Sequence, residues 1–174
     1  IFGSGSFRQC YKLLLQPFVA LLIPTLCSQG FIDGLASKGY KEGQNITFDK
    51  QNAQADQSNL QNIAHRFVNN KVDLICAIAT PAAQTVANVT SDIPIVATAV
   101  TDYKTAKLVK DNAKPGTNVT GTTDMNPVSE QLDLLLKLVP NAKTIGTIYC
   151  SSEVNSQLQV AVSYTHLRAH ETRG

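Results

Sequence analysis

Three stretches of the chain combine small residues, hydroxyls and carboxylates where a strand pattern gives way to a helix pattern. The first is Thr80-Pro81-Ala82-Ala83. The opening turn of a helix has N–H groups without intrahelical partners, and the helix dipole adds positive potential there. Such a turn binds a carboxylate or a phosphate, and Ala82 and Ala83 are small enough to let a ligand come close. The same residues also read as an ordinary helix start, with Thr80 as N-cap and Pro81 in the first turn, where its missing N–H costs nothing. The second stretch runs Thr98-Ala99-Val100-Thr101-Asp102. Thr98 and Thr101 offer hydroxyls. Asp102 has two readings, partner of a ligand ammonium or cap of a turn. The third is Ser151-Ser152-Glu153-Val154-Asn155-Ser156. A plain cap with an acidic first turn accounts for Ser151, Ser152 and Glu153, but not for the added Asn155-Ser156 pair.

Catalytic signatures are missing. The chain has no GxGxxG, no GxxxxGK[ST], no HExxH and no GxSxG. Gly3-Ser4-Gly5-Ser6 lacks the Lys-Thr that a phosphate loop needs and reads as a flexible end. Cys10, Cys27, Cys76 and Cys150 form no CxxC and have no His at metal-ligand spacing. The residues therefore imply no enzyme, no catalytic residues, no metal and no cofactor. A net charge of +2, without a basic cluster interleaved with aromatics, gives no reason to expect nucleic acid as a partner.

Strand and helix periods alternate along the chain, and the core must be aliphatic, since Trp is absent. Phe31 and Leu35 mark a short helix that stops at Lys38-Gly39, Gly39 taking positive φ. Residues 46–48 (ITF) read as a strand. Asp56 or Ser58 caps a helix whose Leu60, Ile63, Ala64, Phe67 and Val68 share one face. Residues 72–79 (VDLICAIA) are nearly all apolar, as in a strand buried on both faces of a parallel sheet. Residues 93–97 and 118–122 read as further strands. Pro127 opens a helix with Leu132, Leu135, Leu136 and Val139 on one face, ended by Pro140, and residues 144–149 (TIGTIY) read as another strand. Such alternation predicts an α/β fold with a doubly wound parallel sheet and right-handed crossovers. In such sheets ligands sit at the carboxyl ends of strands, where all three stretches fall.

The ordered segments GFIDGLASKGYKEGQNITFDKQNAQADQSNLQNIAHRFVNNKVDLICAIATPAAQTVAN, DIPIVATAVTD, KPGTNVTGTTD, PVSEQLDLLLKLVPNAKTIGTIY and SSEVNSQ resemble ABC-transporter substrate-binding proteins of the tryptophan/aromatic amino-acid type. The resemblance spans about 125 residues, Gly30 to Asn155. It implies a periplasmic-binding-protein-like fold, with one doubly wound lobe and an incomplete second α/β lobe. It further implies an extracytoplasmic protein, periplasmic or lipid-anchored, that captures an aromatic amino acid between two lobes and hands it to a membrane ABC permease. Thr80–Ala83 and Ser151–Ser156 would then supply donors for the ligand carboxylate, and Asp102 or Glu153 the acid for its ammonium. The alternatives are a sensor or enzyme on a related doubly wound fold, or a fragment without function.

The ends depart from the family pattern. Residues 1–27 form an atypical N-terminal segment. Lys12 to Val19 fits a first strand, but Ala20-Leu21-Leu22-Ile23-Pro24 stands where the family carries an acidic-His-Pro loop. Arg8, Lys12 and the apolar run after them resemble a secretory leader, interrupted by Gln16, Pro17 and Pro24. Leu26 stands where a lipoprotein site has a small residue before Cys27. Residues 28–117 are expected to form the first lobe, and residues 118–162 the hinge crossover and the start of the second. The stretch from Val162 to Thr172 resembles translated sequencing-adaptor DNA, so residues 163–174 are expected to be foreign to the native gene. A second lobe this short predicts exposed apolar surface at Leu132, Leu135, Ile145 and Ile148.

Overall fold

The computed structural model describes the backbone of residues 23–171 and the side chains of residues 27–168. The expected strand at Lys12 to Val19 and the Gly-Ser stretch near residue 4 lie outside the described residues. Eight elements follow in order: α1 Ile23–Ser37, α2 Gln57–Asn69, β1 Ile75–Ile78, α3 Thr80–Val89, β2 Ile95–Val100, β3 Val119–Thr123, α4 Val128–Leu138 and α5 Val154–Glu171. The chain divides after Thr123 into two compact units.

In unit 1, local chemistry sets the element ends. α1 closes with Gly39 at φ 90°. The Gly39 N–H donates to Ala36 O and the Tyr40 N–H to Leu35 O, each at 3.0 Å, the paired bonds of a Schellman cap. Asp56 caps α2 by accepting from the Asn59 N–H at 2.7 Å. Leu60, Ala64 and Phe67 of α2 are fully buried, as their i, i+4, i+7 spacing predicts.

The sheet is parallel, in the order β1-β2-β3. All four residues of β1 are buried. Alternation along the strand splits them: Cys76 and Ile78 meet Cys27, Phe31, Ile32 and Phe48 on one side, which leaves Ile75 and Ala77 for the opposite face. That double cover explains the unbroken apolar run in the sequence. β3 is mostly exposed, with only Val119 buried.

Two expected strands are not formed. Residues 46–48 make a single bridge, Glu42 to Ile46, and no ladder. Phe48 instead packs on the Cys76 and Ile78 side of β1, and Arg66 of α2 holds Asp49 through two 3.0 Å contacts. Residues 144–149 are irregular. A strand needs a neighbour to satisfy its backbone, and among the described residues neither segment has one beyond the single bridge at Ile46.

Unit 2 holds α4 and α5, which pack together. Pro127 stands at the N-cap of α4, with Glu130 in its first turn and Lys137 in its last, both suiting the helix dipole. Val128 and Leu132 are buried. Leu132 was expected on the surface; it is 9% exposed, while Leu138 is 74% exposed and Ile148 fully so. Leu135 and Ile145 are half-buried. α5 continues past Val162 to Glu171, through residues such as Leu167 and Arg168 that favour helix. His166 Nε2 lies 3.1 Å from Asp133 Oδ1.

Candidate functional site

The carboxyl ends of β1, β2 and β3 come side by side because the strands are parallel and adjacent. The Ala79 N–H donates to Thr98 O at 3.0 Å, extending the β1–β2 ladder past β1. Thr98 Oγ1 lies 3.0 Å from Thr122 Oγ1 on β3. The start of α3, Thr98 and Thr122 therefore share one edge of the sheet. Thr122 escaped the sequence reading, because its relation to Thr98 depends on strand register and not on spacing in the chain.

The start of α3 differs from expectation by one residue. Its N-cap is Ala79, not Thr80, and no side chain caps the helix. Thr80 is the first helical residue and only 2% exposed. Ala82 and Ala83 are fully buried, so their small side chains let α3 sit close on β1 and β2 and do not open room for a ligand. Pro81 is half-buried. Ala79 holds φ 80° and ψ 153°, a conformation that L-residues rarely adopt. Ala99, at the end of β2, is also left-handed at φ 55°. Strain of this kind costs about 1–3 kcal/mol per residue and collects where backbone direction matters to function.

Beyond β2, Thr101 is buried and its carbonyl accepts from Thr123 Oγ1 at 2.6 Å. Asp102 caps the turn that follows: Oδ1 accepts from the Thr105 N–H, and Oδ2 from Asn112 Nδ2 at 3.3 Å. The Thr105 hydrogen bond is the chief reason that the Asp102 carboxyl titrates below its ordinary range. Of its two sequence readings, the turn cap is realised, and the carboxylate stays half-buried and charged.

In unit 2 the Glu153 N–H donates to Cys150 O at 3.2 Å, and the Gln157 N–H to Glu153 O at 3.1 Å. Ser151 and Ser152 are exposed, whereas Glu153, Asn155 and Ser156 are half-buried. Ser151 O accepts from Gln157 Nε2 at 2.6 Å, and Ser152 Oγ lies 3.1 Å from Cys150 Sγ. Asn155 Nδ2 donates to Glu153 Oε2 at 3.3 Å. That contact fixes the amide orientation, since a flipped amide would set oxygen against carboxylate oxygen. Asn155 Oδ1 is then buried without a hydrogen-bond partner, and among the described residues no other side-chain oxygen or nitrogen shares that condition. A groove of about 460 Å³ on unit 2, lined by Ser129, Ala161, Val162, Thr165 and His166, includes none of the expected site residues.

A parallel α/β sheet with hydrogen-bonding groups gathered at its strand ends is the architecture of periplasmic-binding-protein-like proteins, and solved structures of that kind superpose on this chain closely. Residues 24–171 match the ABC transporter substrate binding protein family, and the chain belongs to it. A tyrosine-binding protein of Clostridioides difficile (strain R20291) is 54% identical over 132 residues, which are 76% of this chain and 38% of that protein. An ABC domain from Streptococcus pneumonia, solved with L-Trp, aligns with a TM-score of 0.87 at 42% identity, covering 93% of this chain and 54% of that one. A ligand-free, open substrate binding protein with adhesive properties from Clostridium difficile aligns at 0.72 and 43% identity, covering 95% and 54%. The chain thus spans about half or less of the length of these relatives. Among the described residues no helix is long and apolar enough to cross a membrane.

Proposed function

We propose that this protein is the solute-capturing component of an ABC importer. It takes an aromatic amino acid outside the cytoplasmic membrane and delivers it to a membrane permease, with no chemistry of its own. The 54% identity to a tyrosine-binding protein and the 42% identity to a structure solved with L-Trp support the ligand class.

In unit 1, the uncapped start of α3 and the Thr98 hydroxyl suit a ligand carboxylate, because both present donors at a sheet edge. Asp102, held in its charged form, suits an ammonium. Thr80, Ala82 and Ala83 serve through the backbone of α3 and through packing, since their side chains are buried.

The observation that carries the reading is the orphan Asn155 Oδ1 in unit 2. A buried acceptor without a donor costs about 1–3 kcal/mol. A ligand N–H removes that cost and supplies a reason for the site to stay unsatisfied until a ligand arrives. Glu153, Ser151, Ser152 and Ser156 lie around the same helix start.

Calorimetric titration with L-tyrosine, L-tryptophan and L-phenylalanine tests the reading, on this chain and on a form extended to the length of the relatives. Saturable heat with at least one of the three in the extended form is expected. Absence of heat with all three in both forms overturns it.

A further inference from the structure

β2 and β3 are out of step at their carboxyl ends. Ala97 pairs with Gly121 and Val100 with Thr123, so three steps on β2 run against two on β3. The extra residue makes a bulge, which re-aims the strand carrying it. Thr98 and the left-handed Ala99 lie inside it.

Tyr103 sits on this bulge from the turn that follows β2. Its ring is buried. Its hydroxyl is shared between two carbonyls on different strands, Ala97 O at 2.8 Å and Thr122 O at 3.0 Å. The approach requires a glycine opposite. A Cβ on Gly121 would overlap Ala97 O and Tyr103 Oη, with Ala97 C at 2.7 Å. Gly121 and Tyr103 are therefore matched parts: one leaves the space and the other fills it with a hydrogen-bonding group.

We propose that Tyr103 is a positioning residue. Its hydroxyl, admitted by Gly121, locks the β2–β3 bulge and so fixes where Thr98, Thr101 and Asp102 are presented. Tyr103 lies two residues beyond Thr101 and one beyond Asp102, so the same side chain that pins the strands also anchors the loop bearing both residues. The consequence for ligand affinity rests on the function proposed above; the lock itself does not.

Tyr103→Phe keeps the ring and deletes the hydroxyl. Amide hydrogen exchange is followed by mass spectrometry in wild type and variant, beside affinity for L-tyrosine and L-tryptophan. Exchange across residues 98–102 and 121–123 is expected to rise about tenfold, the scale of one lost hydrogen bond, while α2 stays protected. Affinity is expected to fall by a similar factor, through faster release, with α2 protection unchanged. Gly121→Ala is expected to loosen the same two segments, because the clash displaces Tyr103. Unchanged exchange across residues 98–102 in Tyr103→Phe overturns the proposal. So does unchanged affinity in a variant whose wild type binds. Raised exchange in Tyr103→Phe, with a wild-type chain that binds none of the amino acids, upholds the lock and counts against the proposed function alone.

Discussion

The Ala79 N–H donates to Thr98 O at 3.0 Å, and this bond ties the exit of β1 to the exit of β2. It holds Ala79 in a strained conformation, φ 80° and ψ 153°, at the moment the chain turns into α3. The helix start is thereby aimed by the sheet and not by a capping side chain.

Ala79→Gly follows directly. Glycine adopts this backbone without the Cβ penalty, although it adds entropy to the unfolded chain. Relief of about 1–3 kcal/mol against a loss of about 0.5–1 kcal/mol leaves a net gain of roughly 1 kcal/mol. A higher urea midpoint with an unchanged denaturant slope is the expected result.

Asn155→Leu separates stability from binding. The substitution removes a buried acceptor that has no donor, so the unliganded protein is expected to gain about 1 kcal/mol. The ligand loses an acceptor, and its affinity is expected to drop tenfold or more. Thermal unfolding and calorimetry on the same preparations check both halves.

Asp102 makes stability depend on pH in a defined direction. Its folded carboxyl titrates below the ordinary range because the Thr105 N–H, and then Asn112, favour the charged form. A lowered folded value means that the contribution is complete above the unfolded carboxylate range, near pH 4, and is lost as pH falls through the folded value. Asp102→Asn is therefore expected to be less stable than wild type at pH 7, and the gap to close toward pH 2. Urea titrations at the two pH values measure it.

Cys76 is expected to resist alkylation. Burial, and secondarily the neighbouring Cys27, push its thiol up to about 12. The thiolate is the reactive form, so an iodoacetamide time course at pH 8 should modify the exposed Cys150 well before Cys76. Because the folded value is raised, the stabilising contribution is complete below the ordinary thiol range and declines as pH climbs toward 12. Cys76→Ala should flatten the alkaline limb of the stability profile.

The chain's periodicity was enough to read α2, α3, α4 and the buried β1. In each, apolar residues recur on one face or fill a short run, and local signals such as Asp56 and Gly39 mark the ends. Thr80 and Thr98–Asp102 fall at the carboxyl ends of β1 and β2, where a strand pattern placed them, whereas the strand expected before Ser151 is not formed. What escaped the sequence depends on residues far apart in the chain. Residues 46–48 and 144–149 have strand composition, yet a strand exists only where a partner accepts its ladder, and no local pattern encodes that partner. Ala79 as the N-cap of α3 goes with its bond to Thr98, nineteen residues away. Thr122 meets Thr98, and Tyr103 meets Gly121, only because β2 and β3 pair in a register that sets Ala97 beside Gly121. Residue types and spacing thus determined the helices and the buried strand β1, and which stretches carry hydrogen-bonding groups. Tertiary structure decided where those groups point, because register, bulges and backbone strain are properties of strands packed together and not of any one of them.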